Sequence, residues 1–151
     1  MNKGADEKIV VNNTVLRMAL AYMLTNFAED INLDILAATT GASKFDLCRL
    51  FKRQFNISPM KFLWTFRVVL AAELIKKAHH QSLTDIAFAC GFKSSAHFSR
   101  AFRKIYHSTP YSFKCRSRME NPGEPTASYD QLYTNNQQLV ATAMAKTLGN
   151  H

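Results

Sequence analysis

Two stretches of the chain are copies of each other, and this duplication limits the fold more than any other feature. Leu36, Ala37 and Gly41 match Ile86, Ala87 and Gly91 at an offset of 50 residues. Leu47, Arg49, Phe51 and Pro59 match Phe98, Arg100, Phe102 and Pro110 at an offset of 51, so one residue is inserted in the turn of the second copy. The chain is therefore predicted to form two like lobes.

Apolar spacing and capping residues give each lobe its helices. From Thr14, the residues Leu16, Leu20, Met23 and Phe27 recur every three or four positions and predict a first helix ending near Ala28. Asn32 caps a short second helix through Leu36 and Ala37, stopped by Gly41, which supplies the positive φ of a tight turn. Ser43 caps a third helix with an inward stripe of Leu47, Leu50, Phe51 and Phe55. In the second copy Ser82 and Asp85 mark one helix start, Gly91 its stop, and Ser94 or Ser95 the next start, with Phe98, Ala101, Phe102 and Ile105 inward. Thr109 and Pro110 open a last short helix through Phe113. Between the copies, Ser58 followed by Pro59 starts a long helix to about Lys77, proline being free of cost at the first helical position. Its nineteen residues would span roughly 28 Å.

With 151 residues the chain has room for one ordinary domain or two very small ones sharing an element. Five glycines and four prolines against 11 phenylalanines suit few turns and an aromatic helical core. Apolar runs such as Val68 to Ala72 are far below the roughly 18 residues of a membrane span. The first residues lack a signal-peptide pattern, and a cytoplasmic location is expected. Cys48, Cys90 and Cys115 are too few and too far apart for a disulfide framework or a zinc site, so reduced thiols are expected, with Cys90 in the core. His97 and His107, ten positions apart on one helix, cannot share an ion. No metal and no cofactor are called for.

Charge is unevenly distributed. The net charge of +8 resolves into −2 for residues 1–40, +12 for residues 41–118 and −2 for residues 119–151. A basic centre of this kind favours nucleic acid as partner, through release of the counterions condensed on its phosphates. A short helix, a glycine turn and a second helix with an apolar inner stripe and a cationic outer face make a helix-turn-helix, whose second helix reads the major groove. The outward candidates are Lys44, Phe45, Cys48, Arg49 and Lys52 in the first copy. In the second they are Ser95, Ala96, His97, Arg100 and Arg103, with Ser99 beside them. Arg49 and Arg100 are the leading base readers, because a guanidinium bonds guanine bidentately. Two such helices on a spacer of roughly 28 Å suit successive major grooves about 34 Å apart.

Over Val15 to Arg116 the sequence resembles the DNA-binding domain of the AraC/XylS family of bacterial transcription regulators. The resemblance rests on Leu83, Asp85, Ile86, Ala87, Gly91, Phe92, Ser95, His97, Phe98, Ser99, Arg100, Phe102, Lys104 and Pro110, and in the spacer helix on Ser58, Pro59, Phe62, Leu63, Arg67, Ala71 and Leu74. It implies an all-α fold of two homeodomain-like helix-turn-helix subdomains joined by a long linker helix. It also implies binding to double-stranded promoter DNA and activation through RNA polymerase, and with two recognition helices in one chain a monomer on DNA is expected. Base-reading roles carried over by position fall on Phe45, Cys48, Arg49, Ser95, Ala96, His97 and Arg100. The family favours glycine after each recognition helix, where this chain has Asn56 and His107. Both residue types tolerate the left-handed region, so the turns are expected to survive. About 14 residues precede the first helix, which suits the short MarA- and SoxS-like members that act without a separate effector domain.

The expected layout is a flexible segment 1–13, a first lobe 14–57, a linker helix 58–78, a second lobe 79–116 and a polar tail 117–151. Within the tail only residues 137–148 carry a weak helical pattern. No phosphate loop, acid pair or activated nucleophile is present to suggest an enzyme. The alternative within the same fold is a non-activating protein that occupies DNA or sequesters a partner.

Overall fold

The computed structural model describes residues 3–77, 81–120 and 140–149, with side chains from Thr14 onward. Every regular element among them is an α-helix. In chain order these are α1 (Lys3–Asn26), α2 (Leu33–Thr40), α3 (Lys44–Phe55), α4 (Pro59–Lys77), α5 (Leu83–Ala89), α6 (Ser95–Tyr106) and α7 (Pro110–Glu120). Residues 140–149, here α8, are helical as well. Contacts divide the chain into two compact units, residues 1–63 and residues 64–150.

The first unit is built on α1, α2 and α3, which pack on one another pairwise. Its core holds Ala19 and Met23 of α1, Leu36 of α2, and Leu47, Phe51 and Phe55 of α3. Phe62, from the opening turn of α4, lies 5.6 Å from the Phe51 ring and 4.8 Å from that of Phe55. The α2 to α3 corner forms as its residues dictate. Asn32 Oδ1 accepts from the Ile35 N–H at 2.8 Å, Gly41 stops α2 at φ 71°, and Ser43 Oγ accepts from the Asp46 N–H at 3.1 Å.

The second unit repeats this logic with α5 and α6. Ser82 and Ser94 are the N-caps, and Ile86, Ala87, Phe98 and Phe102 are buried at the positions that face inward in the first copy. From α7, Phe113 packs edge-on to Phe102 at 5.2 Å. Both recognition helices end in a left-handed residue, Asn56 at φ 61° and His107 at φ 56°, as their residue types allow.

Two differences from the sequence reading concern the ends. The first helix begins at Lys3 rather than near Thr14, so residues 3–13 belong to α1. They contain no proline and a single glycine, and the apolar pattern used to start the helix tracks burial, not backbone continuity. The polar tail also carries structure. α7 runs to Glu120, and α8 buries Val140, Ala143, Met144 and Thr147, the i, i+3, i+4, i+7 stripe of an amphipathic helix. The sequence pattern is faint because the stripe includes polar Thr147 and small Ala143, while the large apolar Leu148 beside it is exposed. Residues 78–80, and residues 121–139 of the polar tail, lie outside the described residues.

α8 is tied down by charge. Glu73, on a fully packed part of α4, is 5% exposed and pairs with Lys146 of α8 and with Lys76 at 3.5 Å. Burial alone would push the Glu73 carboxyl up, but the two lysines outweigh it and hold the group below the usual carboxylate value. Tyr106, half-buried with Glu73 nearby, has its hydroxyl pushed up to about 12, by burial first and by that negative charge second.

Candidate nucleic-acid interface

The helix-turn-helix of each unit buries one face of its second helix and leaves the other to solvent. In α3, burial of Leu47, Phe51 and Phe55 forces Phe45, Cys48, Arg49 and Lys52 together on the outward side, one helical turn apart. Phe45 is 71% exposed, with the Arg49 guanidinium carbon 5.4 Å from the centroid of its ring. Lys44, also exposed, pairs with Asp34 of α2 at 2.9 Å, and the hydrogen bond and charge of that carboxylate raise the lysine pKa. Lys52 Nζ donates to the Asn56 carbonyl at 3.3 Å, closing the last turn of the helix. Cys48 is half-buried between these cations.

In α6 the same arithmetic places Ser95, Ala96, Arg100 and Arg103 outward and exposed. Among the described residues, no ion pair involves Arg100 or Arg103. Ser95 Oγ lies 3.4 Å from Thr84 Oγ1 of α5.

His97 is placed differently from the other candidates. It is half-buried, its ring edge-on to Trp64 at 4.5 Å and to Phe92 at 5.6 Å. Arg67, 3% exposed, lies over the other ring of that cluster with its guanidinium carbon 4.6 Å from the Trp64 centroid. This buried cation stabilises its aromatic neighbour rather than facing outward. Nearby Cys90 is fully buried, and burial pushes its thiol up to about 12 against the opposing pull of Arg67. A thiol so placed behaves as a small core residue.

Sequence reasoning missed three acids and hydroxyls that flank these faces: Asp34, Asp46 and Thr84. Asp46 Oδ1 is 3.3 Å from Arg49 Nη2, an i, i+3 pair visible in the sequence as opposite charges three apart. Asp34 and Thr84 act across the turn, and only the fold brings them to α3 and α6.

Among the described residues no helix is long and apolar enough to cross a membrane, and no cluster of three metal-ligating side chains occurs.

Comparison with known proteins agrees with this geometry. Residues 36–116 match the family model described as a helix-turn-helix domain. The chain is 35% identical over 95 residues to the HTH-type transcriptional activator RhaS of Escherichia coli. That match covers 63% of this chain and 34% of the relative, so the chain spans about a third of the relative's length. Among solved structures, a transcriptional regulator from Chromobacterium violaceum of the AraC-type DNA-binding class superposes with a TM-score of 0.65 at 31% identity, over 72% of this chain and 95% of that one. The DNA-binding domain of AdpA, solved in complex with a target DNA, superposes with a TM-score of 0.68 at 25% identity, over 74% and 98%. These are transcription regulators and not enzymes. The chain belongs to the helix-turn-helix domain family of AraC-type DNA-binding transcription regulators.

Proposed function

We propose that this protein binds promoter DNA by placing α3 and α6 in successive major grooves and that it activates transcription there. The observation that carries the reading is the doubled outward face, Lys44, Phe45, Cys48, Arg49 and Lys52 on α3 and Ser95, Ala96, Arg100 and Arg103 on α6, with half-buried His97 beside the second set. Arg49 and Arg100 are assigned to guanine edges, Phe45 and Ala96 to thymine methyls, and the lysines and Arg103 to positioning on phosphate. The functional parts are taken as a first lobe 14–57, a linker helix 58–78 and a second lobe 79–116. The monomer on DNA, the contact with RNA polymerase and the bacterial cytoplasm as its setting complete the reading. The relative's role as a transcriptional activator and the solved complex of AdpA with DNA support it.

Selection of bound fragments from random duplex DNA tests binding, site length and both lobes at once. An asymmetric site of about two helical turns is expected. If five to eight phosphates are neutralised, the logarithm of affinity falls with that of salt at a slope of about −4.5 to −7. Arg49→Ala and Arg100→Ala should each weaken the selected site by about 1 to 3 kcal/mol and relax preference over a few base pairs. Equal loss on unrelated DNA would reassign them to phosphate. A reporter driven by the selected site separates activator from blocker, since a blocker lowers transcription.

A further inference from the structure

The two recognition helices carry an arginine at the same position in different company. In α3, Arg49 has both a carboxylate and an aromatic ring beside it. Asp46 Oδ1 is 3.3 Å from its Nη2, and its guanidinium carbon stands 5.4 Å from the centroid of the Phe45 ring. In α6 the position of Asp46 is taken by His97, whose ring faces Trp64 and Phe92, and the position of Phe45 by Ala96. Arg100 has neither support.

The Asp46 and Arg49 side chains are 50% and 58% exposed, so their pair adds little to folding stability. Its consequence is geometric. A free arginine on a DNA-facing helix has several rotamers and can reach phosphate as well as base edges. One of the five guanidinium N–H donors is held by Asp46, which leaves a pair free for O6 and N7 of guanine. The carboxylate also repels phosphate, which penalises docking wherever no guanine repays it. Phe45, beneath the guanidinium and 71% exposed, supplies an apolar surface for the methyl of an adjacent thymine.

We propose that Asp46 is a positioning residue that makes the first lobe the selective one: Asp46 and Phe45 fix Arg49 to read a guanine beside a thymine, while Arg100 in the second lobe reads with less discrimination. The proposal rests on the DNA-binding reading above.

The test uses the full chain and duplexes obtained by selection, with every single-base variant of the preferred site. The wild type should prefer guanine at one position of the first half-site by about tenfold or more. Asp46→Asn should cut that preference to less than about threefold at that position alone, and affinity for unrelated DNA should rise severalfold as a negative charge leaves the interface. Asp46→Glu, which keeps the carboxylate, should restore part of the preference. The double variant Asp46→Asn with Arg49→Ala should discriminate no worse than Arg49→Ala, because the acid acts through the arginine. Retention of the wild-type guanine preference in Asp46→Asn overturns the proposal. So does uniform weakening on every sequence, the mark of an acid that only stabilises the first turn of α3. A wild type with no preferred sequence overturns the DNA-binding reading itself.

Discussion

The two lobes share a frame and differ in what they hang on it. Asp34 and Lys44 of the first lobe stand, copy for copy, where Thr84 and Ser95 stand in the second. The contact between the two helices is thus ionic at 2.9 Å in one lobe and hydroxyl to hydroxyl at 3.4 Å in the other. The inserted residue tells a similar story. Ala42 alone separates Gly41 from the Ser43 cap, whereas Phe92 and Lys93 separate Gly91 from Ser94. The added length lets Phe92 turn inward, 5.1 Å from Phe98 and 5.4 Å from Trp64. Caps, left-handed stops and the apolar stripe are kept in both copies, and charge and aromatic contacts are not. The frame depends on the first set, so the second is free to diverge.

If the frames are equivalent, the largest effects should also be the most alike. Phe51 and Phe102 occupy matching positions and are fully buried. Phe51→Ala and Phe102→Ala should each cost about 3 to 5 kcal/mol in denaturant unfolding. A gap between them wider than that range would break the equivalence. Next comes a feature of the second unit alone. Removing the partner of a buried acid is costly, but Lys146 is 47% exposed and Lys76 remains, so Lys146→Met is expected to cost about 1 to 2 kcal/mol.

That loss has a pH signature. The Glu73 carboxyl titrates lower in the folded chain than its ordinary value of 4.5, so its stabilisation is complete above that value and fades as pH drops through the folded one. Unfolding midpoints from pH 7 down to pH 3 should show a smaller decline for Glu73→Gln than for the wild type. An unchanged decline would detach Glu73 from acid sensitivity. A step smaller, Ser43→Ala and Ser94→Ala should each cost about 1 kcal/mol, equally in both lobes, since each hydroxyl accepts from a backbone N–H at 3.1 Å. The smallest effect is a gain. Asn56→Gly and His107→Gly should stabilise by about 0.5 kcal/mol by relieving a positive φ, and His107 should gain more because asparagine tolerates that region better.

What could be read directly from the sequence was local. The caps at Asn32, Ser43, Ser82 and Ser94, the stop at Gly41 and the inward set from Leu47 to Phe102 follow from periodicity and residue chemistry, and the fold has them there. The outward faces follow from the inward ones. What escaped was tertiary. Nothing in the spacing of Glu73 announces a lysine 73 positions later, and no periodicity turns His97 toward Trp64. Asp46 is a local feature of the other kind, an acid three residues before Arg49 whose pairing shows in the sequence as opposite charges at i, i+3.

α8 carries a practical lesson for anyone choosing where to cut this protein. A fragment trimmed to residues 36–116, the part shared with the family, would keep the Glu73 carboxylate and discard one of its two ammonium neighbours. Such a piece would also lose Ala19 and Met23 of α1 and Val140, Ala143 and Met144 of α8, stripping apolar surface from what the remaining helices bury. Endpoints drawn from homology alone would therefore give a misleadingly fragile domain.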